Sequence, residues 1–384
     1  MPATRIPASF DRRTLLRTGL AGAGVLGGGL LLSACSGGSG STAGSSTGTS
    51  SGAAADYGTI AVQLSWIKNI EFAGEYFATE NGYYDKAGFQ KVDLLAGGSG
   101  STTAEEIVIS GKALVGLSSP IATVPSVLQG APLKVIGTTY QKNPFCLMSL
   151  EEGTPIRTVA ELKGKRLGVQ AGANLTIVKG FLKANGIAES DVTIVTTQFD
   201  IAPLVSGKYD AHMSYLTNEP ILAEAEGKKP VVLGFADNGL PFVAETFTVM
   251  QTTIDSKRDL LKAFLKAEIQ GWTDAVKDPE AAAKLTVQKY GKGGNFGNTD
   301  FDLGEQTKEA EAQNALILTA DVNSNGLFTM TDDLVQENIK SLAAMGYTIN
   351  ADKLFDLSLL KEVYEENPDL KTTFTIPSAS ASAS

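Results

Sequence analysis

The feature that most restricts the fold of this 384-residue chain is a regular alternation of short apolar runs with amphipathic helical patterns. Four of the runs have the length and composition of buried strands: TIAVQLSW, KVDLLAG, ALVGLSS and LKVIGTTY. The patterns between them predict helices at 71–87, 102–112 and 120–129. Because successive parallel strands need a crossover, this order predicts a largely parallel sheet with helices on both faces.

A second α/β unit follows the first. It begins with TVAELKGKRLGVQAGAN, continues through a helical pattern at 174–185 and the run VTIVTT, and ends with AHMSYL and PVVLGFA. The rest of the chain predicts helices at 256–277, 279–290, 303–319, 332–345 and 351–365.

Two α/β units of similar size, linked near 141–147 and again near 236–246, predict two lobes on a hinge. We expect residues 56–142 to begin lobe 1, residues 143–240 to form lobe 2, and residues 241–377 to return to lobe 1 and supply C-terminal helices.

The first 34 residues predict a secretory signal rather than part of the fold. The basic pair Arg12-Arg13 precedes an apolar, Gly-rich stretch of 15 residues from Thr18 to Leu32. A membrane-spanning helix needs about 20 residues. The paired arginines resemble a twin-arginine export signal, although Asp11 and Leu15 depart from its usual pattern.

The segment Leu-Ser-Ala-Cys that ends at Cys35 resembles a bacterial lipobox, which implies cleavage before Cys35 and a lipid on its thiol. The alternative is a plain signal peptide with an incidental cysteine. Residues 36–55 contain only Ser, Gly, Thr and Ala and predict a flexible tether, so the mature protein is expected to be lipid-anchored. The tail 378–384 is expected to be disordered.

The charge and the scarcity of Cys and His exclude several classes of function. Removal of residues 1–34 leaves 28 basic and 41 acidic residues, a net charge of −13. Such an acidic body is not expected to bind nucleic acid or anionic lipid. With lipid on Cys35, Cys146 has no partner for an intrachain disulfide, and His212 is the only histidine, so no Cys/His metal cluster is expected.

Candidate ligand-binding residues follow the predicted strands, because open α/β sheets bind ligands at the carboxyl ends of their strands. Trp66 stands where a cleft needs a flat apolar wall, with Asn69 as a polar edge. The other candidates occupy equivalent strand exits: Gly98, Ser99, Ser101, Ser118, Ser119, Gln170, Asn174, Tyr215, Asn218 and Glu219.

Structural alternatives remain open for several of these residues. Trp66 could cap the core of the sheet. The stretch GGSGS (97–101) could be a strand-to-helix turn with an N-cap at Thr102 or Thr103. Glu219 could cap a helix that starts at Pro220.

Several motifs occur in the order VQLSW, FAGEYFA, NGYY, AGGSGS, VISGKALVGLSS, VAELKGKRLGV and YLTNEP. In this order, over about residues 57–290, the chain resembles the solute-binding proteins of ABC importers in the thiamine-pyrimidine, riboflavin, sulfonate and nitrate group. The resemblance implies a type II periplasmic-binding fold with the ligand between the lobes, and an ABC permease and its ATPase as partners. In pyrimidine-binding relatives an aromatic and a Tyr with an acid hold the ring, which implies such roles for Trp66, Tyr215 and Glu219, with Asn218 beside them.

The ligand and the class of activity are predicted from the same residues. Sulfonate and nitrate need cations or N–H donors, and the strand exits offer only Lys68. Glu219 instead suits an amino group, so a thiamine-precursor pyrimidine is favoured over riboflavin, sulfonate or nitrate. The resembling group has an enzyme branch that uses a cysteine-rich motif and a histidine. This chain has no such motif, and His212 is expected to be structural; we predict a monomeric binding protein without cofactor, with an enzyme or a sensor component as alternatives.

One further motif matches the spacing of an EF-hand calcium loop, with Asp321, Asn323 and Asn325 followed by Asp332. The twelfth position is Asp rather than the usual bidentate Glu. Asn-Gly turn chemistry and a helix cap at Thr331 explain the same residues. We therefore predict no metal site here, with calcium as the alternative.

Overall fold

The first sheet forms from strands that the sequence places far apart. The computed structural model describes residues 55–98, 101–294 and 300–377. Its first sheet has the order β2-β1-β3-β10-β4. The strands are β1 (Gly58–Gln63), β2 (Phe89–Leu95), β3 (Val115–Ser118), β4 (Leu133–Tyr140) and β10 (Ala244–Met250). β1 pairs in parallel with β2 and β3, whereas β10 runs antiparallel to β3 and β4.

The second sheet has the order β7-β6-β8-β5-β9 and belongs to lobe 2. Its strands are β5 (Phe145–Leu150), β6 (Arg166–Gln170), β7 (Thr193–Thr197), β8 (Ala211–Tyr215) and β9 (Pro230–Gly234). β6 is parallel to β7 and β8, and β5 is antiparallel to β8 and β9. Both sheets belong to one compact unit of the chain, Ala53–Ser384.

Helices cover the sheets and continue after the last strand. They are α1 (Ala73–Glu80), α2 (Tyr83–Lys86), α3 (Ala104–Ile109), α4 (Pro120–Leu128), α5 (Ala173–Ala184), α6 (Ala202–Val205), α7 (Glu219–Ala225), α8 (Gln251–Ser256), α9 (Arg258–Lys277), α10 (Pro279–Leu285), α11 (Leu303–Ile317), α12 (Ala320–Asn325), α13 (Asp332–Ala344), α14 (Ala351–Leu354) and α15 (Ser358–Glu366). Over the described residues, no helix is long and apolar enough to cross a bilayer.

The expectation of a largely parallel first sheet is wrong in one respect, because β10 was not predicted. Its sequence AETFTVM overlaps the segment that was interpreted as a link at 236–246. The chain enters β10 at the edge where β1 ends, so β10 must run in the opposite direction. Its first residues therefore lie at that edge of the sheet.

The two segments that join the sheets are tied to each other and to a C-terminal helix. The side-chain amide of Asn143 in the first segment donates to the carbonyl of Leu240 in the second, at 2.9 Å. Asn338 on α13 accepts a hydrogen bond from the backbone N–H of Val243 at 3.0 Å, and Ser341 donates to the carbonyl of Pro241. Helix α13 thus packs behind the links between the sheets.

The calcium alternative does not fit the geometry of its segment. Asp321, Asn323 and Asn325 lie in α12, whereas an EF-hand needs an open loop there. The side chain of Asn323 is bound to the backbone of Phe374 on both its amide atoms, at 2.9 Å each. Asp332 begins α13, and Thr331 caps that helix as expected.

Candidate functional site

A cleft of about 610 Å³ lies between the two sheets and is lined by residues of both lobes. Most of the predicted candidates line it: Trp66, Asn69, Gly98, Ser101, Ser118, Ser119, Asn174, Tyr215, Asn218 and Glu219. Gln170 does not. Ser99 falls outside the described residues, as do Cys35, the signal segment and the tail.

The aromatic part of the wall comes from both lobes. Trp66 is half-buried after β1, and its ring meets Phe199 edge to face, with centroids 4.2 Å apart and planes at 63°. Phe199 follows β7 and was not predicted. The loop after β2 is fixed against this wall, because the backbone N–H of Gly97 donates to the carbonyl of Trp66 at 2.9 Å. A side chain at Gly97 would collide with the backbone of Leu64 and Ser65, which explains the glycine.

Several predicted polar residues line the cleft but use their side chains to shape it. Asn69 caps the 3-10 turn Ile70–Phe72 by accepting from the N–H of Glu71 at 3.1 Å, so it orients that turn rather than edging the Trp66 wall. Ser119 caps α4, and the hydroxyl of Ser118 donates to the carboxylate of Glu105. In the glycine-rich loop, Ser101 donates to the carbonyl of Gly98 at 2.6 Å.

Gln170 is a correction to the predicted site. It is only 2% exposed, and its amide nitrogen donates to the carbonyl of Met213 at 3.0 Å. Its oxygen accepts from Asn174 at 3.0 Å, so Gln170 positions a residue that does line the cleft. His212 is also fully buried beside it, with Nδ1 2.7 Å from the hydroxyl of Tyr209. Burial lowers the pKa of His212 to about 4, so this imidazole is neutral at pH 7.

The electrostatic character of the cleft is strongly acidic. Its lining includes six glutamates and, among the described residues, no Lys, Arg or His. The glutamates are Glu71, Glu105, Glu219, Glu245, Glu305 and Glu309. The sequence predicted only Glu219 among them.

Glu219 lines the cleft as predicted, but it is not the cap of a helix that starts at Pro220, because α7 starts at Glu219 with Asn218 as its N-cap. It is the first residue of α7, and its carboxylate accepts the backbone N–H of Tyr215 at 2.7 Å, which stabilises the turn after β8. It also lines the cleft while only 5% exposed. Burial raises its pKa to about 7, although hydrogen bonds from the backbone oppose the shift.

Glu245 lies at the start of β10 and connects the lobes. It accepts from the hydroxyl of Ser65 at 2.7 Å and from the hydroxyl of Tyr215, in lobe 2, at 3.3 Å. Burial raises its pKa to about 7. Its φ of 52° lies in the left-handed region, which a residue with a Cβ adopts at a cost. Sequence analysis missed it because the segment was interpreted as a link.

Helix α11 supplies the other side of the cleft. The amide of Asn218 in lobe 2 donates to the carboxylate of Glu309 at 3.0 Å, and burial raises the pKa of Glu309 to about 8. Gln306 accepts from the backbone N–H of Ile70 at 3.0 Å, which holds α11 against the turn that carries Glu71. These residues lie beyond residue 290, where the family resemblance no longer assigned roles.

Glu71 lies close to three of the other cleft carboxylates, Glu219, Glu245 and Glu309. It lines the cleft, is 7% exposed, and its carboxyl group is hydrogen-bonded by the neutral side chain of Asn69. Burial raises its pKa well above the usual range, and the charges of Glu245 and Glu309 raise it further. The only sequence signal was its position just after the exit of β1.

The NMT1/THI5-like family matches residues 69–282, more than half of the chain. The chain belongs to this family. Its α/β architecture is also that of solved periplasmic-binding folds, including the ligand-binding component of an ABC-type import system from Staphylococcus aureus, which was solved with zinc bound. That structure has a TM-score of 0.57 at 13% identity and covers 79% of this chain and 98% of its own.

Two curated relatives have different functions in their names. Riboflavin-binding protein RibY of Chloroflexus aurantiacus is 28% identical over 233 residues, 60% of this chain and 66% of the relative. A 4-amino-5-hydroxymethyl-2-methylpyrimidine phosphate synthase of Schizosaccharomyces pombe is 24% identical over 216 residues, 53% of this chain and 62% of the relative. The chain therefore spans less than two thirds of the length of each of these two relatives.

Proposed function

We propose that this protein is the extracytoplasmic solute receptor of an ABC importer and binds a small amino-substituted heteroaromatic ligand, a thiamine-precursor pyrimidine, in its cleft. The observation that carries the proposal is the composition of that cleft. It combines an aromatic wall at Trp66 with carboxylates from both lobes and no basic side chain among the described lining residues.

The ring of such a ligand would stack on Trp66, and its amino group would donate to the carboxylates. An amino group of the ligand acts as a donor, and an ionised carboxylate only accepts, so ionised glutamates select amino groups over carbonyl or anionic groups. Glu219 and Glu245 flank Tyr215 and present oxygens from opposite lobes. A ligand held by both would favour the closed arrangement, because only there does it contact both lobes.

Riboflavin is the second candidate, since a riboflavin-binding relative matches 60% of this chain and a cleft of about 610 Å³ is within the usual range for ligand sites. Sulfonate and nitrate fit less well. A permanent anion would meet six glutamates without a described Lys or Arg to oppose them.

An enzymatic role is the least favoured alternative, although a pyrimidine phosphate synthase is among the relatives. His212 does not line the cleft and is occupied by Tyr209 and Gln170. Cys146 is buried in β5, and burial raises the pKa of its thiol. Neither residue is placed to act on a ligand in the cleft, which supports a binding role.

A ligand screen tests the proposal. Thermal unfolding would be followed with 4-amino-5-hydroxymethyl-2-methylpyrimidine, riboflavin, a simple alkanesulfonate and nitrate, since a ligand of the native state raises the apparent stability. We expect the aminopyrimidine to raise the melting temperature and to change the fluorescence of Trp66, with Trp272, buried away from the cleft, as the unresponsive reference. A response to the sulfonate alone would reject the assignment.

Anchoring at Cys35 is the remaining part of the proposal. Cys35→Ala should release a folded, soluble protein, because residues 36–55 are only Ser, Gly, Thr and Ala and offer no large apolar side chain to a core. Recovery of that variant in the membrane fraction would contradict the lipid anchor.

A further inference from the structure

We propose that the ligand carries a positive charge, so that the cleft is a receptor for cationic heteroaromatic molecules and Glu71 is the counter-ion of the bound ligand. This inference rests on the proposed function, since it assumes that the cleft binds a solute. It adds the charge of that solute and the residue that faces it.

The first support is that the hydrogen-bond partners given for the buried cleft carboxylates are neutral groups. Glu105 accepts from two hydroxyls, Glu219 from a backbone N–H, Glu245 from two hydroxyls and Glu309 from an amide. Glu71 is only 7% exposed, and its carboxyl group is hydrogen-bonded by the neutral side chain of Asn69. Ionising a buried carboxylate that has only neutral partners is costly, and the cost falls when a cation pairs with it.

The second support is the surroundings of Glu71. Glu219, Glu245 and Glu309 are near enough for their charges to act on it, and the tyrosines that border this group, Tyr76, Tyr140 and Tyr215, are neutral phenols at pH 7. No described Lys or Arg lines the cleft, so the protein does not itself supply the balancing charge. The missing positive charge would come with the ligand.

The third support is the aromatic wall. A cationic ring gains from contact with the faces of aromatic side chains, and the gain is larger in a desolvated site. The ring centroids of Trp66 and Phe199, one from each lobe, lie 4.2 Å apart at the cleft. A flat cation would therefore find an aromatic surface on one side and carboxylates on the other.

The test uses two probes that differ mainly in charge. At pH 7.5, 4-aminopyridine carries a proton on its ring nitrogen, whereas 4-aminopyrimidine is neutral, and both have a six-membered ring with one amino group. Calorimetry on the whole mature protein would give both dissociation constants. We expect about tenfold or tighter binding of the cation, which corresponds to one favourable charge interaction.

Glu71→Gln removes the charge and keeps the shape. This variant should reduce the preference for the cation at least fivefold and change the affinity for 4-aminopyrimidine little. It should also raise the melting temperature of the empty protein, because a buried charge is removed. A purely structural role for Glu71 would instead lower that temperature. Glu75→Gln is the matched control, because Glu75 is buried four residues further on but does not line the cleft. It should leave the preference unchanged.

The outcomes separate the two proposals. Equal binding of both probes, or a preference for 4-aminopyrimidine, overturns the cation inference and leaves the receptor for amino-heteroaromatics intact. A full preference retained by a folded Glu71→Gln variant also overturns the role of Glu71. If neither probe binds at millimolar concentration, both proposals fail. The comparison of probes on the parent protein decides the charge of the ligand even if Glu71→Gln does not fold.

Discussion

Two groups of buried glutamates differ in their access to the cleft. One group lines the cleft, whereas the other, which we call the sealed pair, consists of Glu75 and Glu268 packed between helices. Glu71 lines the cleft, whereas Glu75, four residues later, is fully buried against α9 and faces Glu268. Neither carboxylate oxygen of Glu75 has a hydrogen-bond partner among the described residues, and Glu268 has one, from the hydroxyl of Tyr84.

The two groups have similar titration behaviour for the same reason. Desolvation raises the pKa of Glu268 to about 8 and that of Glu75 well above the usual range, as it does for Glu71 and Glu309. The difference lies in access. The sealed pair can be neutralised only by protons, whereas the cleft group can be neutralised by protons or by a ligand. A perturbed pKa therefore marks a candidate site only when a cavity reaches it.

The largest expected effect comes from both groups together, as a dependence of stability on pH. Folding raises the pKa of these glutamates above that of the unfolded chain, so the native state holds more protons between pH 4.5 and 8. The free energy of unfolding should therefore fall as pH rises through this window. The fall should be at least about 3 kcal/mol, which corresponds to a summed difference of two pKa units between the folded and unfolded chains. Urea denaturation at pH 5, 6, 7 and 8 checks this, and a flat or rising profile would contradict it.

Gly271→Ala should loosen the contact between α1 and α9 that buries Glu75 and Glu268. We expect it to have the next largest effect on stability. A Cβ at Gly271 would collide with the backbone carbonyl of Gly74, so α1 and α9 would have to separate. Overpacking of this kind costs about 2–3 kcal/mol. The same opening would admit water to Glu75 and Glu268 and flatten the pH profile, which denaturation at two pH values would measure. Gly304→Ala, where the nearest atom is a side-chain oxygen 3.2 Å away, is the control.

The pair Glu268→Gln and Glu309→Gln sharpens the comparison. At pH 8 each change removes a buried group that folding makes harder to ionise, so each variant should be more stable than the parent by about 1 kcal/mol. Only Glu309→Gln should alter ligand affinity, because Glu268 does not line the cleft. Denaturation and calorimetry on both variants test this, and equal effects on binding would remove the distinction between the groups.

Trp66→Ala is expected to have the smallest effect on the empty protein. Half-buried at the cleft, Trp66 should contribute about 1 kcal/mol or more to binding and little to folding. Titration of an aminopyrimidine against parent and variant measures the first, and a melting curve without ligand measures the second. A large loss of stability in the empty variant would identify Trp66 as a core residue.

Local patterns predicted much of the fold and only part of the cleft. The runs that became β1 to β4 and β6 to β9, and most helices, were visible as period-two or period-3.6 patterns, because each element buries one face. β5 and β10 were missed because both overlap segments that were interpreted as links, and both are buried along most of their length. Gln170 was misplaced because strand position does not reveal which way the last side chain points. Glu245 and Glu309 could not be placed, since their approach to Tyr215 and Asn218 depends on how distant segments pack.

Helix α11 has a consequence for how ligand preference can change among related chains. It contributes Glu305, Gln306 and Glu309 to the cleft, yet it lies outside residues 69–282, the part shared with the family. These three positions occupy a little more than one helical turn and belong to neither sheet. Substitutions there would change the lining of the cleft while both sheets and the segments that join them stay unaltered. Similarity confined to the shared segment is therefore a poor guide to the cargo, and the residues of this one turn should be compared first.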